Sequence, residues 1–216
     1  MTKAVIFDLD GTLLNSLGDL TAAVNHALSA FGFPTRTQSQ VRSYVGDGVR
    51  QLIARACPAD TDDATRAAVL ERYLPYYAAH NADLTRPYDG VEQLLVALRA
   101  AGYRVAVVSN KHDAGAQALC RRFFGDYLDL VVGADGTRPL NPAPDGILYA
   151  LSQLQVAPAD AWYVGDSVQD VRTAHAAGVK CAAVTWGFQD ADRLAAEKPT
   201  AMARTAAELK AAILGE

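Results

Sequence analysis

Short runs that are apolar at every position, at residues 4–7, 105–108, 130–132, 162–164 and 181–184, constrain this chain more than any other feature. A strand with one wet face alternates apolar and polar residues, whereas a strand covered on both faces does not. Helical patterns lie between these runs. Val91, Leu94, Leu95 and Leu98 fall at i, i+3, i+4 and i+7, and Gly102 stands where such a helix would stop. From about residue 88 onward strand and helix therefore alternate. That predicts βαβ units and an α/β fold class with a Rossmann-like parallel sheet.

Residues 16–86 break the rhythm. They contain no buried-strand run, only helical stretches at 20–31, 39–44, 49–56 and 64–80, punctuated by Gly32-Phe33-Pro34 and Cys57-Pro58. The expected organisation is an α/β core of residues 1–14 and 88–216 with an inserted helical cap at 15–87. Asn15-Ser16 would be the exit and Arg86-Pro87-Tyr88-Asp89-Gly90 the return hinge. The Ala-rich stretch 205–214 reads as a terminal helix. A chain of 216 residues can bury cores for such an arrangement.

Composition narrows the partners. The formal net charge is -4 and the pI about 5.5, which offers no electrostatic footprint for nucleic acid or an anionic membrane. An anionic ligand must then be held by local donors or a metal. Cys57, Cys120 and Cys181 are odd in number and widely spaced, which argues against disulfides and a structural zinc site. The run at 4–7 is too short for a signal segment, and no stretch approaches the roughly 20 apolar residues of a membrane span. The expectation is a soluble cytoplasmic protein, monomer or homodimer, whose partner is a small molecule.

Ligands of an open parallel sheet bind at the carboxyl ends of its strands. The first strand ends in Asp8-Leu9-Asp10-Gly11-Thr12, whose two carboxylates project to one side. The strand at 162–164 ends in Gly165-Asp166-Ser167-Val168-Gln169-Asp170, a second acidic pair opening a helix. Two such pairs on one edge repel each other unless a cation lies between them, and oxygen-only ligands suit Mg2+. The strand at 105–108 ends in Ser109-Asn110-Lys111, with a hydroxyl, an amide and an ammonium before a helix N-terminus, which makes an anion cradle. A nucleophilic carboxylate, an acid/base carboxylate, a hard metal and anion donors together describe phosphoryl transfer through an acyl phosphate. Asp8 would attack phosphorus and Asp10 would move the protons.

These residues resemble the haloacid dehalogenase superfamily of hydrolases. Asp8-Leu9-Asp10-Gly11-Thr12-Leu13 is similar to its first motif, Ser109 to its second, and the segment from Gly165 to Asp170 to its fourth. Ser109-Asn110-Lys111, Tyr44-Val45-Gly46-Asp47-Gly48-Val49 and Val184-Thr185-Trp186-Gly187-Phe188 resemble the phosphoglycolate phosphatase branch. The resemblance implies a magnesium-dependent phosphatase for a small organic phosphate, with 2-phosphoglycolate leading and a sugar phosphate close behind. It implies Asp8, Asp10, Asp166 and Asp170 as metal ligands, Asp10 through its backbone carbonyl and Asp170 either directly or by supporting a ligand. It also implies a phosphate contact from Ser109; Asn110, Lys111 and Thr12 are further candidate phosphate donors, and Gly46, Asp47, Gly48 and Arg50 are candidate cap contacts. One departure stands out. The family's third motif carries a lysine before Pro-x-Pro, and Asn141 occupies that position in Leu140-Asn141-Pro142-Ala143-Pro144. Arg138 or Lys111 could supply the charge instead.

Other chemistries fit less well. A dehalogenase has no need of Asp10. A phosphonatase needs a cap lysine for its Schiff base, and residues 16–86 contain none. Gly46-Asp47-Gly48 does not follow a strand and lacks the third glycine of a dinucleotide fingerprint. A phosphosugar mutase, or a catalytically weak binding protein that has lost the lysine, remains as the alternative. His26, His80, Tyr73, Tyr76 and Tyr77 read as helix packing.

Overall fold

The computed structural model describes residues 2–215. Its chain divides into two compact units: one runs to Asn15 and resumes at Pro87, and the other is Ser16–Arg86.

The first unit is built on β1 (Lys3–Phe7), from which the chain passes through a short β2 (Leu14–Asn15). After the intervening helices α1 (Leu17–Ala30), α2 (Gln38–Tyr44), α3 (Val49–Ala56) and α4 (Asp63–His80) it returns at β3 (Arg86–Pro87). There follow α5 (Val91–Ala100), β4 (Tyr103–His112), α6 (Asp113–Phe124), β5 (Leu130–Ala134) and α7 (Asp145–Leu154). The remainder is β6 (Ala161–Gly165), α8 (Val168–Ala177), β7 (Lys180–Val184), α9 (Ala191–Ala196), β8 (Ala201–Ala203) and α10 (Ala206–Leu214). Six strands form one sheet in the order β5-β4-β1-β6-β7-β8, every neighbouring pair parallel. The fold class is thus the expected α/β with a Rossmann-like parallel sheet.

The fully apolar strand sequences have the anticipated cause. Ala4 and Ile6 join a core with Ile147, Leu151, Val171 and Leu194 on one face, while Val5 and Phe7, of opposite parity, are fully buried on the other. Residues of both parities are dry because helices cover both faces. α5 stops as its sequence dictates: Gly102 takes φ +82 just after the last turn and donates to the Arg99 carbonyl at 2.9 Å. The three-residue β8 is too short to stand out as an apolar run. β4 exceeds the run at 105–108 and carries Ser109, Asn110 and Lys111 inside the strand; its register against β5 shifts between Val108 and His112. The order reverses at β1, with β4 and β5 to one side and β6, β7 and β8 to the other. Such a reversal opens a crevice at the carboxyl ends of the central strands.

In the second unit α1, α2, α3 and α4 close over Leu20, Val24, Leu28, Val41, Ile53 and Tyr73. Thr37 and Gln40 form a capping box at α2, and the Asp62 side chain accepts from Thr65 N–H at 2.9 Å to start α4. His26 stacks on Tyr76 at 3.9 Å, and Tyr73 and Tyr77 are buried in the same core. Asp19, 3% exposed on α1, accepts from the N–H groups of Leu84 (2.9 Å) and Thr85 (2.8 Å) and from the Thr85 hydroxyl (2.7 Å). Replacing it with alanine orphans those donors. Asp19→Ala is expected to destabilise the protein by about 2–4 kcal/mol, read as a lower urea midpoint. Among the described residues no helix is long and apolar enough to cross a membrane.

Candidate active site

Asp8 follows β1 directly and extends its pairing, its N–H donating to the Val164 carbonyl at 2.8 Å. The chain then turns tightly: the N–H groups of Leu13 and Leu14 both donate to the Leu9 carbonyl, at 3.0 and 2.9 Å. Gly11 sits in that turn at φ +93, and a Cβ there would overlap the Asp166 carboxylate. A glycine is thus required both by the backbone and by the neighbour it faces.

Asp166 and Asp170, each 3% exposed, follow β6. Asp166 accepts from the Thr12 hydroxyl at 3.2 Å and from Phe188 N–H at 2.6 Å. Asp170 accepts through Oδ2 from the N–H (3.0 Å) and hydroxyl (2.6 Å) of Ser167, the N-cap of α8, and through Oδ1 from the Tyr163 hydroxyl at 3.1 Å. Carboxylate oxygens of Asp8, Asp166 and Asp170 lie within 4.8 Å of one another.

Such crowding has an electrostatic signature. Desolvation holds the Asp8 carboxyl well above its usual range, with the charges of Asp170, Asp166 and Asp10 adding to it and the Ser109 hydroxyl opposing. Asp166 is pushed up to about 7, by desolvation first and Asp170 second. Asp170 is raised by desolvation, against the hydrogen bonds from Ser167 and Tyr163. Three oxygen donors that resist ionisation together fit a hard divalent cation, whose charge would remove the repulsion.

A pH dependence follows. These carboxyls have folded-state values above the unfolded ones, so the folded state binds the extra protons. Their contribution to stability is complete below the unfolded value of about 4 and is lost as pH rises through about 7 for Asp166. The metal-free protein is therefore expected to melt at a lower temperature at about pH 8 than at about pH 6. Magnesium should raise the melting temperature more at the higher pH.

The cradle residues separate by strand parity. Ser109, 8% exposed, bonds to Asp8. Lys111, two residues on, places Nζ 2.8 Å from Asp10 Oδ2 and 3.1 Å from Oδ1, with side-chain exposures of 6% and 13% for the pair. Asn110 faces elsewhere: its Oδ1 accepts from Asn141 N–H at 2.8 Å, and its Nδ2 donates to the Asn141 carbonyl at 3.2 Å. Thr12 directs its hydroxyl to Asp166. Arg138 pairs with Asp135 at 2.6 Å and lies 4.3 Å over the Tyr149 ring, on the rim of a pocket shared with Ser109 and Asn141. Between Arg138 and Lys111, it is the lysine whose charge touches the acidic cluster. In the other unit Gly48 starts α3, Asp47 pairs with Arg55 at 2.5 Å, Gly46 takes φ +126, and Arg50 is exposed.

Two contributors carry no acidic or nucleophilic signal in sequence. Tyr163 looks like one more apolar strand residue until its hydroxyl is located. Gly187 belongs to a segment singled out only by resemblance, yet a Cβ there would run into the Asp166 side chain and the Gly11 carbonyl. Gly187→Ala is expected to cost about 1–3 kcal/mol and to weaken cation binding, because Asp166 must move. Thermal melts with and without magnesium check both effects.

Residues 5–184 match the haloacid dehalogenase-like hydrolase family. Phosphoglycolate phosphatase 1 of Pseudomonas aeruginosa is 36% identical over 206 residues, covering 93% of this chain and 75% of that protein. The N-acetylmuramic acid 6-phosphate phosphatase of the same organism is 34% identical over 187 residues, 86% of this chain and 83% of that protein. A crystal structure from Lactobacillus delbrueckii subsp. bulgaricus superposes with a TM-score of 0.94 over 100% of both chains at 32% identity. The chain belongs to the haloacid dehalogenase-like hydrolase family, in its phosphoglycolate phosphatase-like branch.

Proposed function

We propose that this protein, a phosphoric monoester hydrolase by family, is a magnesium-dependent phosphatase acting on a small phosphorylated metabolite through an aspartyl phosphate on Asp8. The observation that carries the reading is the meeting of Asp8 with Asp166, Asp170 and the Ser109 hydroxyl at one strand edge, with the Lys111 ammonium on Asp10 beside them.

Asp8, Asp166 and Asp170, with the Asp10 carbonyl, would hold Mg2+, which when bound supplies positive charge against the carboxylates and the phosphoryl oxygens. Asp8 attacks phosphorus, and the bond to the ester oxygen breaks. Asp10 delivers a proton to the departing alkoxide. It then takes a proton from the water that attacks the aspartyl phosphate, releasing inorganic phosphate and restoring Asp8. Ser109 donates to a phosphoryl oxygen. Lys111 turns from Asp10 to the same phosphate when the ester arrives, which frees Asp10 to carry the proton. Arg138, Asn110 and Thr12 support this centre through the contacts described. Residues 16–86 serve as the cap, with Gly46, Asp47, Gly48 and Arg50 meeting the organic part of the substrate.

Substrates named for the relatives, glycolate and muramic acid phosphates, share a phosphate and an acid group. 2-Phosphoglycolate is the leading candidate here and an acidic sugar phosphate the second. The test is phosphate release from a panel of small esters with and without magnesium. Magnesium-dependent release with a preference for phospho-acids supports the reading. No release from any ester would sink it and leave a binding protein, with Asn141 as the first residue to examine.

A further inference from the structure

Asn141 stands where the resemblance described above places a lysine, and its backbone N–H, its carbonyl and its side-chain NH2 are all engaged. Its backbone N–H and carbonyl are clamped by the Asn110 amide, at 2.8 and 3.2 Å. Its side-chain Nδ2 donates to the Tyr163 hydroxyl at 2.9 Å. That hydroxyl lies 3.1 Å from Asp170 Oδ1 and 3.1 Å from the Val108 carbonyl. Tyr163 is fully buried, and Asn141 is 8% exposed.

The direction of these bonds matters. An amide NH2 can only donate, so the Tyr163 oxygen accepts from Asn141. The single hydroxyl proton is then left for Asp170 or Val108. Asp170 is held at both ends: Oδ2 by Ser167 at the start of α8, and Oδ1 by Tyr163. An aspartate at position 141 could not donate in this way, and an apolar residue could not bond at all. Among chain segments, the links run from β4 through the loop before Pro142 to β6 and α8.

We infer that Asn141 and Tyr163 are positioning residues that orient Asp170 for its cation, so that position 141 contributes an orienting amide in place of the family's positive charge, which Lys111 carries instead. This rests on the phosphatase reading of the site. Neither residue need touch the substrate. Their effect should appear in cation affinity and leave ester binding alone, because partners that orient metal ligands typically change affinity by about 10- to 100-fold.

The experiment is a calorimetric titration of magnesium into the whole protein without substrate, for the wild type, Tyr163→Phe, Asn141→Leu and Asn141→Lys. Phosphate release against magnesium and ester concentration is measured alongside. Tyr163→Phe removes one oxygen and keeps the ring in the core. It is expected to weaken magnesium binding roughly 10-fold while KM for the ester at saturating magnesium is unchanged. Asn141→Leu should shift affinity in the same direction by less, since Tyr163 keeps its own proton, and it carries the test should Tyr163→Phe fail to fold. Asn141→Lys should weaken magnesium binding and bring no gain in turnover. Wild-type affinity in a folded Tyr163→Phe, or a faster Asn141→Lys, overturns the inference and leaves the phosphatase reading intact. A wild type that neither binds magnesium nor releases phosphate overturns both.

Discussion

Asp8→Asn is expected to abolish magnesium-dependent phosphate release, lowering kcat by on the order of 10⁴-fold or more, as loss of a covalent nucleophile does. The amide fills the same volume and cannot form the acyl phosphate. The same substitution should leave the metal-free protein as stable as the wild type, or more so. Asp8 is a desolvated carboxyl facing Asp166, Asp170 and Asp10, and each of these raises the cost of its charge. A neutral side chain removes that cost. Steady-state assays together with thermal melts in a chelator check both halves. A variant that keeps its turnover would exclude Asp8 as the nucleophile. One that loses both turnover and stability would show that the carboxylate serves the fold.

Lys111→Met should lower kcat/KM by on the order of 10²- to 10³-fold, the usual loss when a charge-stabilising donor is removed from a desolvated site. The stem keeps its packing while the ammonium, 2.8 Å from Asp10 and 6% exposed, disappears. Asp10 then loses the ammonium charge that faces it. Breaking such a pair costs about 3–5 kcal/mol when it is well buried, so a lower melting temperature in chelator should accompany the kinetic loss. Arg138→Met is the contrast. Its guanidinium is committed to Asp135 and Tyr149, and a loss below about 10-fold is expected. Equal losses from the two variants would mean that the arginine leaves Asp135 for the phosphate. Both variants are assayed on the best ester of the panel.

The parallel sheet was legible because burial on both faces leaves no room for polar residues at 4–7 or 181–184, so the pattern is carried by every position. The acidic strand ends were legible only jointly: Asp8 follows one apolar run and Asp166 stands just past another, and two acidic pairs on one sheet edge repel unless a cation lies between them. The helix 91–100 could be read from its period and from Gly102. Less visible was the length of β4, because Ser109, Asn110 and Lys111 are polar residues within a strand whose register shifts against its neighbour. The three-residue β8 offered too few positions to show any period.

By itself the sequence determined the class of fold, the family, and the placement of two acidic pairs after β1 and β6, since these depend on local pattern and on spacing along the chain. It left open which cation reaches the acidic cluster and what Asn141 does, because both depend on contacts between residues far apart in sequence. Strand parity turns Lys111 toward Asp10 and Asn110 toward the loop before Pro142. The fold also brings a buried tyrosine hydroxyl from β6 between Asn141 and Asp170. Only the packed sheet decided those partners. A hydrogen bond or ion pair requires atoms within about 3 Å, and the order of residues along a chain does not specify that across 22 or 101 positions.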